Sequence, residues 1–521
     1  AVGHHLDAGP GADPGVEPGA IADGVLLRML QEDPALSGID LVIFDEFHER
    51  ALTADLGLAL TLDVRRHLRP DLKILVMSAT IDAGAVAALL DGAPVITSEG
   101  RLHEVAVHHL ERPAPARLME AVAATIHQAL AESAGSVLVF LPGGGEIRRV
   151  ERLLAADPPA GAPIVAPLYG DLAPGAQDRA IEPARQGQRK IVLATSIAET
   201  SLTIEGIGIV IDSGLSRVPR FDPGRGMSRL ETVRVSQASA EQRRFRAGRL
   251  GPGICYRLWP AREQKQLPAF ATPEILEADL APLALELAQW GTMDPEALSW
   301  LDPPPPPALT EARQLLQRLG ALEADGRISS QGRDMAMLGV HPRLAHMMMK
   351  ARDQGRGRLA AAIAALLEER DILRGERDRD LTSRIDYLGH SRQDSGQDPA
   401  IDRAGLTRVR QMTRQHEARL RLGRGHPPLT PGDTGRVLAL AFPDRIAQAR
   451  PGARGQFLLS NGRGAELPPE DPLAGEEFLA VGALDGERRL SRIFLASPLV
   501  CGKSGKISER AAVKAAARRW A

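Results

Sequence analysis

Apolar residues in this chain follow two kinds of pattern. Short apolar-rich runs recur at 41–44, 72–77, 105–109, 136–140, 164–167, 189–194 and 207–212. Runs of this length predict strands buried on both faces, as in a parallel sheet. Between them, 21–31, 53–67, 118–131 and 146–155 carry apolar residues at helical spacing. That alternation predicts an α/β fold with parallel sheets. The pattern changes after residue 265. Residues 273–290 and 342–373 read as helical, and Thr310 is expected to cap a helix over 311–319. Residues 321–329 turn at Gly326, which predicts a hairpin, and 438–499 hold short apolar runs with Gly-rich turns, which predict a small β-containing domain.

Punctuation between these blocks marks boundaries. Residues 1–20 hold five glycines and three prolines and no period, which predicts no regular structure. The adjacent His4 and His5 face apart and lack a third partner for a metal. Residues 111–115 read as a linker that follows a closing strand at 105–109. Five prolines at 303–307 predict a rigid polyproline spacer. Residues 375–396 are charged and irregular, and 401–425 hold seven arginines with apolar residues between them, a basic helix. The resulting divisions are 1–110, 111–265, 266–340, 341–425 and 426–500, with a basic tail at 501–521.

At 521 residues the chain has room for three or four domains. Apolar residues make up 44% and aromatics only 3%, so the cores are aliphatic. The net charge is −2, so any binding of a polyanion rests on local positive charge. Cys255 and Cys501 are too few for a disulfide framework or a zinc site. No apolar stretch is long enough to span a membrane and no signal peptide is evident, which makes the cytoplasm the expected compartment.

Candidate chemistry starts where the run 41–44 meets Asp45-Glu46-Phe47-His48. The C-terminal end of a parallel strand is where open α/β sheets place their ligands. An aspartate there can hold Mg²⁺ beside nucleotide phosphates, directly or through water, and a glutamate can deprotonate an attacking water. The run 72–77 ends in Ser78-Ala79-Thr80, a second polar turn that would sit near the acidic pair. Thr195, Ser196, Thr200 and Ser201 can bond phosphates and sugars without reading bases, and Ser196 or Thr200 could also cap a helix.

These segments, DEFHER at 45–50, SAT at 78–80, ATSIAETSLTI at 194–204 and QRRFRAGR at 242–249, resemble motifs of the DExH-box ATP-dependent helicases, bacterial HrpB type. The resemblance spans about residues 20 to 500. It implies two RecA-like parallel-sheet domains, the first incomplete, followed by winged-helix, helical-bundle and small β-containing domains. It implies ATP and Mg²⁺ at the cleft and hydrolysis coupled to 3′-to-5′ movement on single-stranded nucleic acid, with RNA favoured, by a monomer unattached to membranes. Residue by residue, Glu46, His48, Gln242, Arg246 and Arg249 become catalytic. Asp45, Glu46, Ser78, Thr80 and Arg243 contact the nucleotide, with Asp45 on Mg²⁺. Thr195, Ser196, Thr200, Ser201 and Arg217 touch the nucleic-acid strand.

Three departures qualify the resemblance. No GxxxxGK[ST] phosphate loop precedes Asp45, and Gly502-Lys503-Ser504 has serine at 497 in place of the first glycine. Arg244 and Phe245 replace small residues between Gln242 and Arg246. Ser196 stands where asparagine is common. A second function therefore stays open: a truncated nucleic-acid-binding or interaction remnant without turnover. On that view the first half-domain exposes apolar side chains or a free strand edge. A nucleotide kinase lacks both a loop and an acceptor site.

Overall fold

A computed structural model describes residues 21–80, 82–98, 103–112, 117–170, 172, 174–185, 187–199, 204–222, 227–373, 378–389, 400–423, 427, 429–485 and 490–499. The expectations for residues 1–20, for Thr200 and Ser201, and for 501–521 lie outside them. The chain divides into two compact units. One holds 1–220, 230–278 and 294–305; the other holds 221–229, 279–293 and 306–521.

In the first unit, α1 (Asp23–Glu32), β1 (Leu41–Phe44), α2 (Leu52–His67), β2 (Lys73–Val76) and α3 (Ala83–Leu89) build a small layer. β1 and β2 pair in parallel as a two-stranded sheet, from Leu41 opposite Lys73 to Phe44 opposite Val76. Val42 and Phe44 are buried, and the Phe44 ring packs beside Gly57 of α2. On the other face Leu41, Ile43 and Leu75 are 45%, 44% and 43% exposed. The expectation of strands buried on both faces fails here, because the described helices cover one side only.

The larger sheet comprises β3 (Val105–His109), β4 (Ser136–Phe140), β5 (Ile164–Leu168), β6 (Lys190–Ala194), β7 (Ile207–Asp212) and β10 (Gly253–Arg257). Its order is β3-β10-β7-β4-β6-β5, and every pairing is parallel. The helices are α4 (Leu118–Glu132), α5 (Gly144–Ala156), α6 (Pro174–Ile181) and α7 (Gln237–Phe245), and a short α8 (Ala261–Gln264) follows β10. All five residues of β4 are buried. Val137 and Val139 pack with Val122, Ile126, Ile147 and Val150 from α4 and α5, while Leu138 and Phe140 pack with Ala180, Ala198 and Ala247 on the other side. Two covered faces explain why its strands read as unbroken apolar runs. Between β7 and α7, β8 (Leu215–Asp222) and β9 (Met227–Arg234) form a separate two-stranded ribbon.

One boundary moves. The run 105–109, expected to close the first domain, joins the larger sheet as its edge strand, with Val105 opposite Gly253. Val105 is buried there, and Gly248 approaches it so closely that a Cβ would stand 2.7 Å from its side chain.

The second unit holds α9 (Ala281–Trp290), α10 (Pro306–Arg318), α11 (Ser330–Met337), α12 (Pro342–Asp353), α13 (Gly357–Glu368), α14 (Leu381–Gly389), α15 (Arg403–Arg419) and α16 (Thr434–Ala441). α10 begins inside the proline run, so Pro306 and Pro307 are not spacer. Proline suits the first helical turn, where its missing N–H has no partner to lose. Thr310 therefore lies within the helix and donates to the Pro306 carbonyl instead of capping. The bridge between Leu322 and Ile328 forms the expected hairpin. α14 lies inside the stretch read as irregular.

α15 buries Leu406, Val409 and His416, while Arg408 meets Glu369 and Arg419 donates to the Leu338 carbonyl. β11 (Ile446–Ala449), β12 (Gln456–Leu459), β13 (Gly464–Glu466), β15 (Leu490–Pro498) and β14 (Phe478–Leu484) close a barrel in that order, with β13 parallel to β15. This is the five-stranded Greek-key arrangement of OB-folds.

Candidate functional site

The acidic turn follows directly from β1. Asp45 is exposed, and its Oδ1 accepts the Glu46 N–H at 2.8 Å. Glu46 adopts φ 49° and ψ 34°. This left-handed conformation costs a non-glycine residue about 1–3 kcal/mol. It ends the strand abruptly, and a 3₁₀ turn, Phe47–Glu49, begins at once. Phe47 anchors that turn: it is 1% exposed, and its N–H donates to the Met77 carbonyl at 3.1 Å.

His48 tucks beneath the acidic pair. Its Nδ1 lies 3.4 Å from Glu46 Oε2 and 3.4 Å from the Ala79 N–H. It donates to the carboxylate in one tautomer and accepts from Ala79 in the other. Its Nε2 is buried without a hydrogen-bond partner among the described residues. The turn 78–80 thus stands beside the acidic turn. Ser78 is exposed, and Thr80 is half-buried.

Gln242 of α7 reaches this turn, with Nε2 donating to Thr80 Oγ1 at 3.2 Å. Arg246 follows α7, and one of its nitrogens donates to the Glu199 main-chain carbonyl. Its guanidinium is pushed down to about 10, first by burial and then by Arg249; Glu46 and Glu199 pull the other way. It stays charged at neutral pH. Two cations held near each other and opposite a carboxylate form a setting that an anion would relieve.

Arg243, expected on the nucleotide, is placed differently. It is 1% exposed. Its Nε and Nη2 donate to Glu199 Oε1 at 2.8 and 2.5 Å, and its Nη1 donates to Asp212 Oδ1 at 2.7 Å and to the Leu215 carbonyl at 3.2 Å. The Phe140 ring lies 4.9 Å below. Burial alone would lower its pKa, but Asp212 and Glu199 outweigh that and raise it. With its donors facing carboxylates inside the fold, this arginine ties α7 to the ends of β4 and β7. Its side chain does not face the cleft.

The two departures beside it pair with each other. The Arg244 guanidinium stacks 4.4 Å over the Phe245 ring, and its Nε donates to Glu241 Oε2 at 2.7 Å. α7 runs through Phe245 without a break, and Gln242 still reaches Thr80.

The hydroxyl loop follows β6. Thr195 is half-buried, and Ser196, exposed, opens a 3₁₀ turn, Ser196–Ala198. Neither side chain caps that turn. Arg217, expected on the strand, donates from Nη2 to Glu146 Oε1 at 3.0 Å. Its guanidinium crosses Gly143 so closely that any Cβ there would collide with it. Sequence reasoning missed Glu199 as a residue in its own right. It was visible only as one acid among the polar side chains of 195–201, because its partners lie some forty residues further on.

Among the described residues no group of three or more His, Cys, Asp or Glu side chains could hold an ion, which leaves the exposed Asp45 as the carboxylate to test for Mg²⁺. Mg²⁺ typically takes one or two carboxylates, several waters and substrate phosphates, so a lone aspartate fits it. No helix of the described residues is long and apolar enough to cross a membrane.

Fold and site together define a helicase-type α/β core followed by a winged helix, and comparison with known proteins narrows the class. The helicase conserved C-terminal domain matches residues 118–251, and the winged-helix helicase associated domain (HA2) matches 312–340. The ATP-dependent RNA helicase HrpB of Escherichia coli (strain K12) is 46% identical over 478 residues, 92% of this chain and 56% of that protein. Crystal structures of the E. coli DExH-box NTPase HrpB and DEAH/RHA helicase HrpB superpose with TM-scores of 0.78 and 0.80, at 45% and 44% identity. Each superposition covers 92% of this chain, and 56% and 58% of the respective HrpB chains. The chain belongs to the HrpB-type DExH-box helicases. It spans little more than half the length of these relatives.

Proposed function

We propose that this chain carries part of an ATP-dependent motor that couples nucleoside triphosphate hydrolysis to movement on single-stranded nucleic acid, RNA by preference. The observation that carries the reading is the hydrogen bond from Gln242 to Thr80, which joins residues more than 150 positions apart. In this reading Asp45 holds Mg²⁺, which would neutralise phosphate charge when bound. Glu46 takes the proton of the attacking water, with His48 beside it, and Gln242 orients that water. Ser78 and Thr80 contact the nucleotide side of the cleft. Arg246 and Arg249 stabilise charge on the terminal phosphate, where a forked donor suits spreading negative charge. Arg243 supports the others from inside the fold.

Thr195, Ser196, Thr200 and Ser201 grip the strand through phosphate and sugar, and Arg217 borders them. The protein works as a cytoplasmic monomer. Its first RecA-like domain ends ahead of Val105, the second runs to about residue 265, and winged-helix, helical and barrel domains follow with divisions near 340 and 425.

A fluorescent 20-nucleotide oligouridylate tests the binding half. Binding should weaken about tenfold or more between 50 and 200 mM salt, since phosphate contacts release counterions. Affinity unchanged across that range would refute this electrostatic grip.

A second reading, strand binding without turnover, is favoured for a polypeptide of these 521 residues alone by one observation: no phosphate-binding loop stands ahead of Asp45. Positioning the phosphates is most of the work in phosphoryl transfer. Such a polypeptide should hydrolyse ATP no faster with RNA than without. An RNA-stimulated rate removed by Glu46→Gln would show that these residues suffice.

A further inference from the structure

The 3₁₀ turn that carries Phe47 and His48 lies between two strained residues. Glu46 has φ 49° and ψ 34°, and Arg50 has φ 50° and ψ 41°. Left-handed backbone at a residue with a Cβ persists only where its surroundings over-determine it. Phe47 and Met77 secure the first end of the turn. The last end is secured from elsewhere in the sequence. Arg50 donates from Nε and Nη2 to Asp55 Oδ1 and Oδ2, both at 3.1 Å, and its Nη2 lies 2.7 Å from Asp302 Oδ2. The Arg50 carbonyl accepts the Glu274 N–H at 3.1 Å. Two residues on, the Leu52 N–H at the start of α2 donates to Glu274 Oε2 at 2.7 Å. Ala51 stands at the N-cap of α2 with no side-chain oxygen to offer, so a carboxylate 222 positions further on caps the helix. Glu274 opens a 3₁₀ turn, Glu274–Leu276, that packs on α2, and Ile275 within it is fully buried. Asp55, Glu274 and Asp302 belong to the same compact unit as the acidic turn. Burial pushes the Asp55 carboxyl up; Arg50 opposes the rise, and Asp302 and Glu274 add to it.

We propose that Arg50 is a positioning residue for the acidic turn, and that Glu274 and Asp302 form a clamp on it which sets where Asp45 and Glu46 point. The inference rests on the reading that Asp45 holds Mg²⁺ beside a nucleotide. The physical argument is that β1 alone cannot aim these carboxylates. The strand ends at Phe44, and Leu41 and Ile43 on its outer face are uncovered. The turn beyond it starts and stops in backbone that relaxes unless it is held. Asp302 fixes the guanidinium of Arg50, and Glu274 fixes the carbonyl of the same residue together with the first turn of α2. Charge-assisted bonds of this kind are short and directional. Without the clamp, Arg50 returns toward ordinary backbone angles. That swings the chain beside His48, whose Nδ1 stands between Glu46 and Ala79. A misplacement of about 1 Å costs on the order of a hundredfold in rate where groups must be aligned.

The test reads the 521-residue chain in two ways. One is amide hydrogen exchange. The other follows the ring signals of His48 in ¹³C-histidine protein titrated with Mn²⁺, which substitutes for Mg²⁺ and broadens signals near it. The N–H groups of Phe47, Glu49 and Arg50 donate to main-chain carbonyls and so report the turn. In Asp302→Ala and in Glu274→Ala these three amides should exchange about threefold faster or more, the scale of a partly exposed ion pair, while 136–140 stay unchanged. Glu274→Gln, which keeps the capping oxygen, should remain close to the wild type. Asp302 and Glu274 both lie at the surface, so these substitutions leave the fold intact. Mn²⁺ should broaden wild-type His48, and Asp302→Ala should need about threefold more Mn²⁺ for the same broadening. Unchanged exchange at the turn in both alanine variants overturns the proposal. So does acceleration that extends equally to 136–140, which marks a general loss of stability. Equal broadening in the wild type and Asp302→Ala overturns it too, because the clamp then steadies the turn without aiming Asp45. Absence of broadening in the wild type overturns instead the reading of Asp45 as the Mg²⁺ ligand, and the exchange comparison then decides the clamp by itself.

Discussion

β1 and β4 are both unbroken apolar runs that lead into polar turns, yet they end in different surroundings. β4 has every residue buried between two layers of helices; β1 has Val42 and Phe44 buried and Leu41 and Ile43 nearly half exposed. The run of apolar residues reports what a strand is able to bury. Whether it does so depends on which elements stand on each side, and periodicity along the strand holds no record of that. The consequence for function is a division of labour. The arginines, Gln242 and the hydroxyl loop stand on a sheet with two filled cores, while the acidic turn stands on two strands with one covered face.

The sharpest way to break this contrast is to attack the brace of the larger sheet. Arg243→Ala leaves the buried Asp212 carboxylate and the half-buried Glu199 carboxylate without their shared partner. Removing one member of a buried ion pair costs about 3–5 kcal/mol. Urea unfolding should show a loss in that range. A loss below about 1 kcal/mol would mean that Arg243 does not brace the sheet.

A smaller effect separates the two sheets directly. Leu138→Ala, at a position 1% exposed, should cost about 2–5 kcal/mol. Ile43→Ala, at 44% exposure, should cost about 1 kcal/mol or less. Equal losses would mean that the outer face of β1 is covered in solution.

The smallest effect is chemical. Cys255 on β10 is fully buried, and burial pushes its thiol up to about 12, with Asp212 adding to the rise. A raised folded pKa favours the protonated folded state. Its contribution to stability is full below the unfolded thiol's value near 9 and is lost as pH rises toward 12. Native Cys255 should resist alkylation at pH 8, while a cysteine placed by Ile43→Cys should react within minutes. Rapid reaction of Cys255 would show that the larger sheet opens readily.

Much of this was legible beforehand, for a definite reason. Strands buried on both faces announce themselves, so β4 and β7 lie where the apolar runs predict. Gln242 and Thr80 meet because α7 carries the one and the turn after β2 carries the other, while Glu46 follows β1 and Arg246 follows α7. Features that depend on partners distant in sequence were not legible. β3 reads as the close of one domain but pairs with a strand some 150 residues later. Arg243 has the spacing of a nucleotide ligand, yet Glu199 and Asp212 draw it inward. Pro306 and Pro307 look like spacer until α10 takes them as its first turn.

Hydrogen exchange read strand by strand tests the contrast most directly, since it reports local opening without any substitution. The account predicts deep protection of amides in 136–140, 190–194 and 207–212, and exchange at least a hundredfold faster in 41–44 and 73–76. Equal protection in the two sheets would contradict it, because the acidic turn would then rest on a core as closed as that beneath the arginines.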